Sequence, residues 1–327
     1  MASPGSWHQN NGNTLEVRGA LDISAQSFHL LRIAPLQVIA PYFVGTIPFV
    51  LGLLYFWADM STSAFAWRRC LAASFGVAVL FVWMKSWHTV FAGRLDCFIT
   101  GSPTGTWTLR RVLRMTAVQT AIQAWSLLVI PAAILLVLPF PAVHAFYHNV
   151  MIEGDGTDSD LKSVAGKSWK NAKLWPRQNA ILMWLFAPWI LGTGMAVVFT
   201  TARAAVSFSP GVQPLDTVVW FVAGTALMYY LIFPLSPFGC SVAANIALFL
   251  VIFPHLLRVL FGVETWFTLS GWSGIFNTTF LTSVFCLSFL CLDPVMKTAY
   301  VLRRFYAASR RTGQDILADL AAADERS

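Results

Sequence analysis

The stretch "KSWKNAKLWPRQN", residues 167–179, sets four cations and two tryptophans directly before a long apolar run. If residues 158–177 form a helix, Leu161, Val164, Ala165, Ser168, Trp169, Ala172 and Trp175 fall on one mostly apolar stripe. Lys162, Lys170, Lys173 and Arg177 lie largely off it. A basic amphipathic helix of this kind rests in a membrane interface, with its cations toward anionic headgroups. Asp158 or Ser159 is the expected N-cap, with Asp160 in the first turn favouring the dipole. Pro176 then turns the chain, because the residue before a proline avoids the helical region. The stretch therefore reads as an elbow, made of a surface helix, a proline corner and a membrane span.

The same design occurs 141 positions earlier. Residues 27–37 align without a gap on 168–178, with Ser27/Ser168, Pro35/Pro176 and Gln37/Gln178 identical and four further pairs chemically alike. Leu21, Ala25, Phe28 and Leu31 recur on one face, and Pro35 makes the corner. Two elbows, each followed by four crossings, suggest a duplicated unit. An even number of crossings per unit makes such repeats parallel. Convergent use of a good corner is the alternative.

Composition agrees with the elbow. Of 327 residues 57% are hydrophobic and 11% charged, against ~25% charged in soluble domains. The expected fold class is all-α, a polytopic transmembrane bundle of seven or eight crossings. Apolar runs near the ~20 residues a span requires occupy 36–57, 71–92, 179–202, 217–235, 240–260 and 274–292. All fifteen acidic residues lie outside them, and many tryptophans flank them, as headgroup-level aromatic belts require. The mostly polar first 35 residues lack a compact apolar core with a small-residue cleavage site, so the first span is expected to direct insertion.

Residues 116–150 are too many for one straight span and few for two, with Pro131, Pro139 and Pro141 interrupting them. Lys and Arg number five in 85–115, five in 151–178 and six after 292, against one or two in each of 58–70, 203–216 and 255–273. The positive-inside rule then puts both flanks of 116–150, and both termini, in the cytoplasm. A tight hairpin turning near Pro131 to Pro141 satisfies this; a single span plus an interfacial helix is the alternative. The chain divides into a first membrane unit (1–150), a second (151–292) and a basic interfacial helix with its tail (293–327), which Asp293-Pro294 would start as N-cap and first helical residue. Arg303 and Arg304 are expected at the membrane surface.

Candidate sites are sparse. His144 and His148 stand one helical turn apart, a spacing that can hold a metal, and His88 could be a third ligand; interfacial histidines are the plainer reading. Gln119 and Gln123 head one polar stripe, and Asn277 and Thr282 another, with Asn245 in a separate run. In lipid such stripes face the bundle interior, as interhelical glue or as a path. "EGDGTDSD" (153–160) lacks the order of a calcium loop and reads as a turn with a helix cap. Five cysteines without C-x-x-C spacing read as buried free thiols. The short loops leave no room for a soluble catalytic domain, and phosphate-binding glycine motifs are absent.

The segment "LCLDPVMKTAYVLRRFYAASRRTGQDILADL" (290–320), with the elbow "SWKNAKLWPRQN", resembles a group of bacterial inner-membrane proteins of no established activity. These are loosely similar to the membrane domain fused to some glycerophosphodiester phosphodiesterases. The shared features are basic-Ser-Trp elbows and a D-P-x-x-K-x-x-Y…T-G-x-D-[LI] tail. The resemblance implies a bacterial cytoplasmic membrane; the phosphodiesterase chemistry is not carried over, since the loops cannot hold its barrel. The favoured expectation is a non-catalytic subunit or scaffold of a larger inner-membrane complex, contacting anionic lipids and other membrane subunits, without nucleic acid or cofactor. A transporter or lipid-handling protein is the first alternative, and a membrane-embedded metalloenzyme the second.

Overall fold

A computed structural model describes residues 19–102, 105, 107–135, 140–157, 160–186, 237–264, 268 and 277–313. Among these residues the chain is helical and contains no strand. Four helices are long and apolar enough to cross a membrane. They are α2 (Leu36–Thr62), α3 (Ala66–Thr100), a helix over Pro237–Phe261 and a final helix over Thr278–Thr312. They coincide with four of the expected spans, and the class is a helical membrane protein. The runs at 179–202 and 217–235 lie mostly or wholly outside the described residues.

The first elbow is α1 (Ala20–Ile33), a bend at Ala34, and α2 starting beyond Pro35, whose extended backbone makes it the cap. α1 has two unlike faces. Ala20, Ile23, Ser24, Ser27 and Leu30 are buried, and the Ser24 and Ser27 hydroxyls return to the carbonyls of Ala20 and Ile23 at 2.7 Å each. Leu21 and Phe28, members of the stripe read from the sequence, are exposed and suit lipid. α2 and α3 form an antiparallel pair. They approach closely at Gly45, where a Cβ would stand 2.6 Å from the Cβ of Trp87.

Three short helices follow: α4 (Leu109–Gln123), α5 (Ser126–Leu135) and α6 (Phe140–Glu153). Taken singly, none of the three has a span's length over its described residues, α4 reaching about 22 Å; α4 and α5 follow one another with only Ala124 and Trp125 between them. The chain nevertheless comes back to where it began. Arg111 near the start of α4 pairs with Asp155 just past α6, at 2.7 Å. Gly156, at φ +82°, lies so close that a Cβ would collide with the Arg111 carbonyl, in a backbone region that favours glycine in any case. The charge argument anticipated this return.

The second elbow is α7 (Leu161–Ala172) and α8 (Pro176–Phe186). Its N-cap is Asp160, whose carboxylate accepts from the Lys162 amide at 3.0 Å, rather than Asp158 or Ser159, which lie outside the described residues. The corner is tighter than the sequence rule implied, because Trp175 sits at φ +51°, a region bulky residues rarely occupy. Val164, Ser168 and Ala172 are buried while Leu161 and Trp169 stay exposed. One edge of the stripe therefore packs inside the protein and the other faces outward. Ser27 and Ser168, equivalent in the two elbows, are both fully buried.

α9 (Pro237–Phe261) buries none of its apolar window. α10 (Thr278–Thr312) is the hub, touching α1, α2, α3, α6, α8 and α9. Here the structure corrects the sequence reading. Asp293-Pro294 does not start a helix, since α10 runs unbroken through both residues. Asp293 is neutralised from within by Lys297, one turn on, at 2.7 Å, with the two side chains only 10% and 3% exposed. The thiols also differ from expectation: only Cys286 is buried, and Cys70 and Cys291 are exposed.

Candidate functional site

Two gatherings of polar residues stand out among the described residues. One lies inside the bundle, where the histidines are held by tyrosines. His88 on α3 stacks on Tyr42 with ring centroids 5.0 Å apart, and its Nε2 is 2.8 Å from the Thr46 hydroxyl. His148 on α6 stacks on Tyr300 of α10 at 4.6 Å and lies 4.6 Å from the His144 ring. Among the described residues no group of three His, Cys, Asp or Glu side chains is placed to hold a metal ion.

The glutamines read from the sequence bind backbone. Gln119 donates through Nε2 to the carbonyls of Val150 and Gly154 at 3.3 and 3.4 Å. Gln123 donates to the Tyr147 carbonyl at 2.8 Å. Both tie α4 to the last turns of α6, whose terminal carbonyls need donors. Asn245 donates to the Ser241 carbonyl and Thr282 to that of Thr278, both within their own helices. Asn277 caps α10 through its side-chain oxygen. Each of the five is thus bonded within its own helix or to the backbone of a neighbouring one.

The second gathering is at the elbow end of the bundle, where the three cation-rich segments meet. Lys162, Lys170, Lys173 and Arg177 are exposed there, and Lys173 sits 5.0 Å above the Trp169 ring. Arg303 and Arg304 turn inward. Arg303 is 4% exposed; its Nε donates to Gln178 Oε1 at 2.6 Å and its Nη2 to the Leu174 carbonyl at 2.7 Å. It also lies 5.9 Å from the Trp175 ring centroid. This clamp holds the strained corner of the second elbow, and such over-determination is what lets an unfavourable φ persist. Arg304 joins three helices, reaching Glu153 of α6 at 2.9 Å and Asp96 of α3 at 3.2 Å. Glu153 also accepts from Asn171 at 3.3 Å. Tyr306 reaches Gln26 of α1 at 2.7 Å, so α10 grips both elbows.

Beside these pairs lies a polar chamber of about 260 Å³, walled by Arg94, Asp96, Arg111, Glu153, Asp155 and Arg304 among others. Along the outside of α3 and α4 runs an apolar groove of about 550 Å³, lined by Val79, Val82, Trp83, Val90, Val112 and Met115. A third hollow, between the start of α2 and the end of α3, holds about 530 Å³. Arg94 and Trp107 line all three. Arg94 donates to the Gln37 carbonyl at 2.6 Å, and Arg111 lies 4.6 Å over the Trp107 ring.

The sequence reading counted Arg94 and Arg111 only as topological charge and passed over Trp107. The available signal was a set of carboxylates (Asp96, Glu153, Asp155) placed among the cations of otherwise basic segments. The chemistry on offer is binding, with a charged cup and an apolar trough that share Arg94 and Trp107 as walls. Comparison with protein-family models, with curated proteins and with solved structures finds no match to this chain.

Proposed function

We propose that the protein is a lipid-handling component of a bacterial inner membrane, which seats one amphiphile across the elbow end of α3 and α4. The observation that carries this reading is the junction at Arg94 and Trp107, shared by the polar chamber and the apolar groove. Ligand sites in proteins are mostly apolar hollows of ~300–1,000 Å³ with a few placed polar groups. The groove at about 550 Å³ has that size, and the chamber supplies the polar groups. Native mass spectrometry of the protein, released from detergent in the presence of phospholipid, tests it. One lipid per chain should survive activation that strips bulk lipid, and a bare chain under all conditions would remove the reading.

A second reading, a non-catalytic subunit or scaffold of a larger complex, is favoured by α9. Its exposed Leu248, Phe249, Ile252, Phe253 and Leu256 suit another membrane helix as well as lipid.

Eight crossings with both termini cytoplasmic belong to the same proposal. The return of residue 155 to residue 111 and the meeting of the cation-rich segments at one end support it. Single cysteines at Ser102 and Thr157, both exposed, should react with a membrane-impermeant reagent added to inverted vesicles and not to right-side-out ones. Labelling of the pair from opposite faces would contradict the hairpin and the crossing count together.

A further inference from the structure

We infer that the amphiphile is an anionic glycerophospholipid, and that Arg94 is the residue that reads its charge; this rests on the lipid-handling reading above. The chamber places four cations, Arg94, Arg111, Lys167 and Arg304, against three carboxylates, Asp96, Glu153 and Asp155. Arg111 is matched by Asp155, and Arg304 by Asp96 with Glu153. Arg94 has a different environment. Among the described residues its one hydrogen bond goes to a neutral backbone carbonyl, that of Gln37, and no carboxylate lies within ion-pair distance of it. A guanidinium so placed has donors left for an anion, and its planar fork suits the oxygens of a phosphate.

The position of Arg94 selects the rest of the ligand. It lines both the polar chamber and the groove, so a phosphate held there has apolar wall on one side and charged wall on the other. Val82 and Val90 from α3 and Val112 and Met115 from α4 line the apolar side. Ser86 donates to the Thr116 hydroxyl there at 3.5 Å. The groove opens outward, with Val79, Trp83 and Val112 exposed, as an acyl chain that remains continuous with the bilayer requires. Trp107, at the junction, offers the amphipathic ring that sits at headgroup depth. A soluble phosphate ester would leave the groove empty. A zwitterionic lipid brings its own cation to a place where Arg94 already supplies one.

The test uses the full chain in detergent, titrated with dioleoylphosphatidylglycerol or dioleoylphosphatidylcholine and read by native mass spectrometry. Wild type should retain the anionic lipid about tenfold better, the scale of one charge-assisted hydrogen bond. Arg94→Gln keeps a donor for the Gln37 carbonyl but removes the charge, and should bind both lipids equally. Arg94→Lys should keep most of the preference. Val112→Trp, on the exposed face of the groove, should lose both lipids while melting as wild type does. Replacing Lys162 and Lys170 together by Gln controls for general surface attraction and should leave the preference intact. A preference that survives Arg94→Gln, or one that vanishes in the Lys162/Lys170 variant, overturns the assignment. Equal retention of both lipids by wild type overturns it too, while leaving the lipid-handling reading standing; retention of neither removes that reading itself.

Discussion

Arg303→Leu is expected to unlatch the second elbow and to cost about 2–4 kcal/mol, since two charge-assisted hydrogen bonds vanish and leave the Leu174 carbonyl and the Gln178 amide oxygen without their donor. Leucine fills much of the volume, so the loss is of bonding more than of packing. Without the clamp, Trp175 has less reason to hold φ +51°, and the corner should relax. The readouts are a lowered melting temperature in detergent and faster tryptic cleavage after the exposed Lys173. Arg303→Lys, which can keep one of the two bonds, should fall between. A leucine variant with unchanged melting and unchanged cleavage would show that the corner is held by something else.

Arg304→Glu should have the larger effect. It would set a third carboxylate beside Asp96 and Glu153, which now stand 3.2 and 2.9 Å from the guanidinium. Two like charges at 4 Å repel by ~4 kcal/mol at an effective dielectric of 20. The side chains are 14–33% exposed, which softens that figure without removing it. The variant should fail to accumulate as folded protein. Combining it with Glu153→Arg restores one attraction across α6 and α10 and should recover most of the yield, as coupling between contacting sites requires. If the single reversal accumulates normally, or the swap does no better, the three-helix junction is not what holds this end together.

Much of this architecture was legible in the sequence because its signals are local. The proline corners at Pro35 and Pro176 follow from fixed φ and a missing donor, and four of the expected spans follow from hydropathy alone. The return of α6 to the start of α4 was legible for a different reason, since the cation counts on either side of 116–150 demanded it. What failed was the meaning of charge. Asp293-Pro294 has the chemistry of a helix start, yet Lys297 one turn later neutralises the acid, and the helix continues. Arg303 and Arg304, beside aromatics, fit a lipid surface and a buried clamp equally well. The pattern within one segment does not say what the other segments bring, here Gln178, Glu153 and Asp96 from far along the chain. The groove was hidden for the same reason, being made of valines on two helices that each look like ordinary lipid-facing surface.

The grip of α10 on both elbows sets an order of assembly. Gln26 and its partner Tyr306 are separated by 280 positions, so at ~5–20 residues per second the first elbow is made about 15–55 s before the helix that fastens it. During that interval α1 lacks one of the helices it packs against, and the membrane surface is the apolar refuge within reach. The exposed face of Leu21 and Phe28 gives it something to hold there. Closure of the bundle thus falls to α10, the last helix among the described residues, and ribosomes that stop before it release a chain whose two corners have been bent but never fastened.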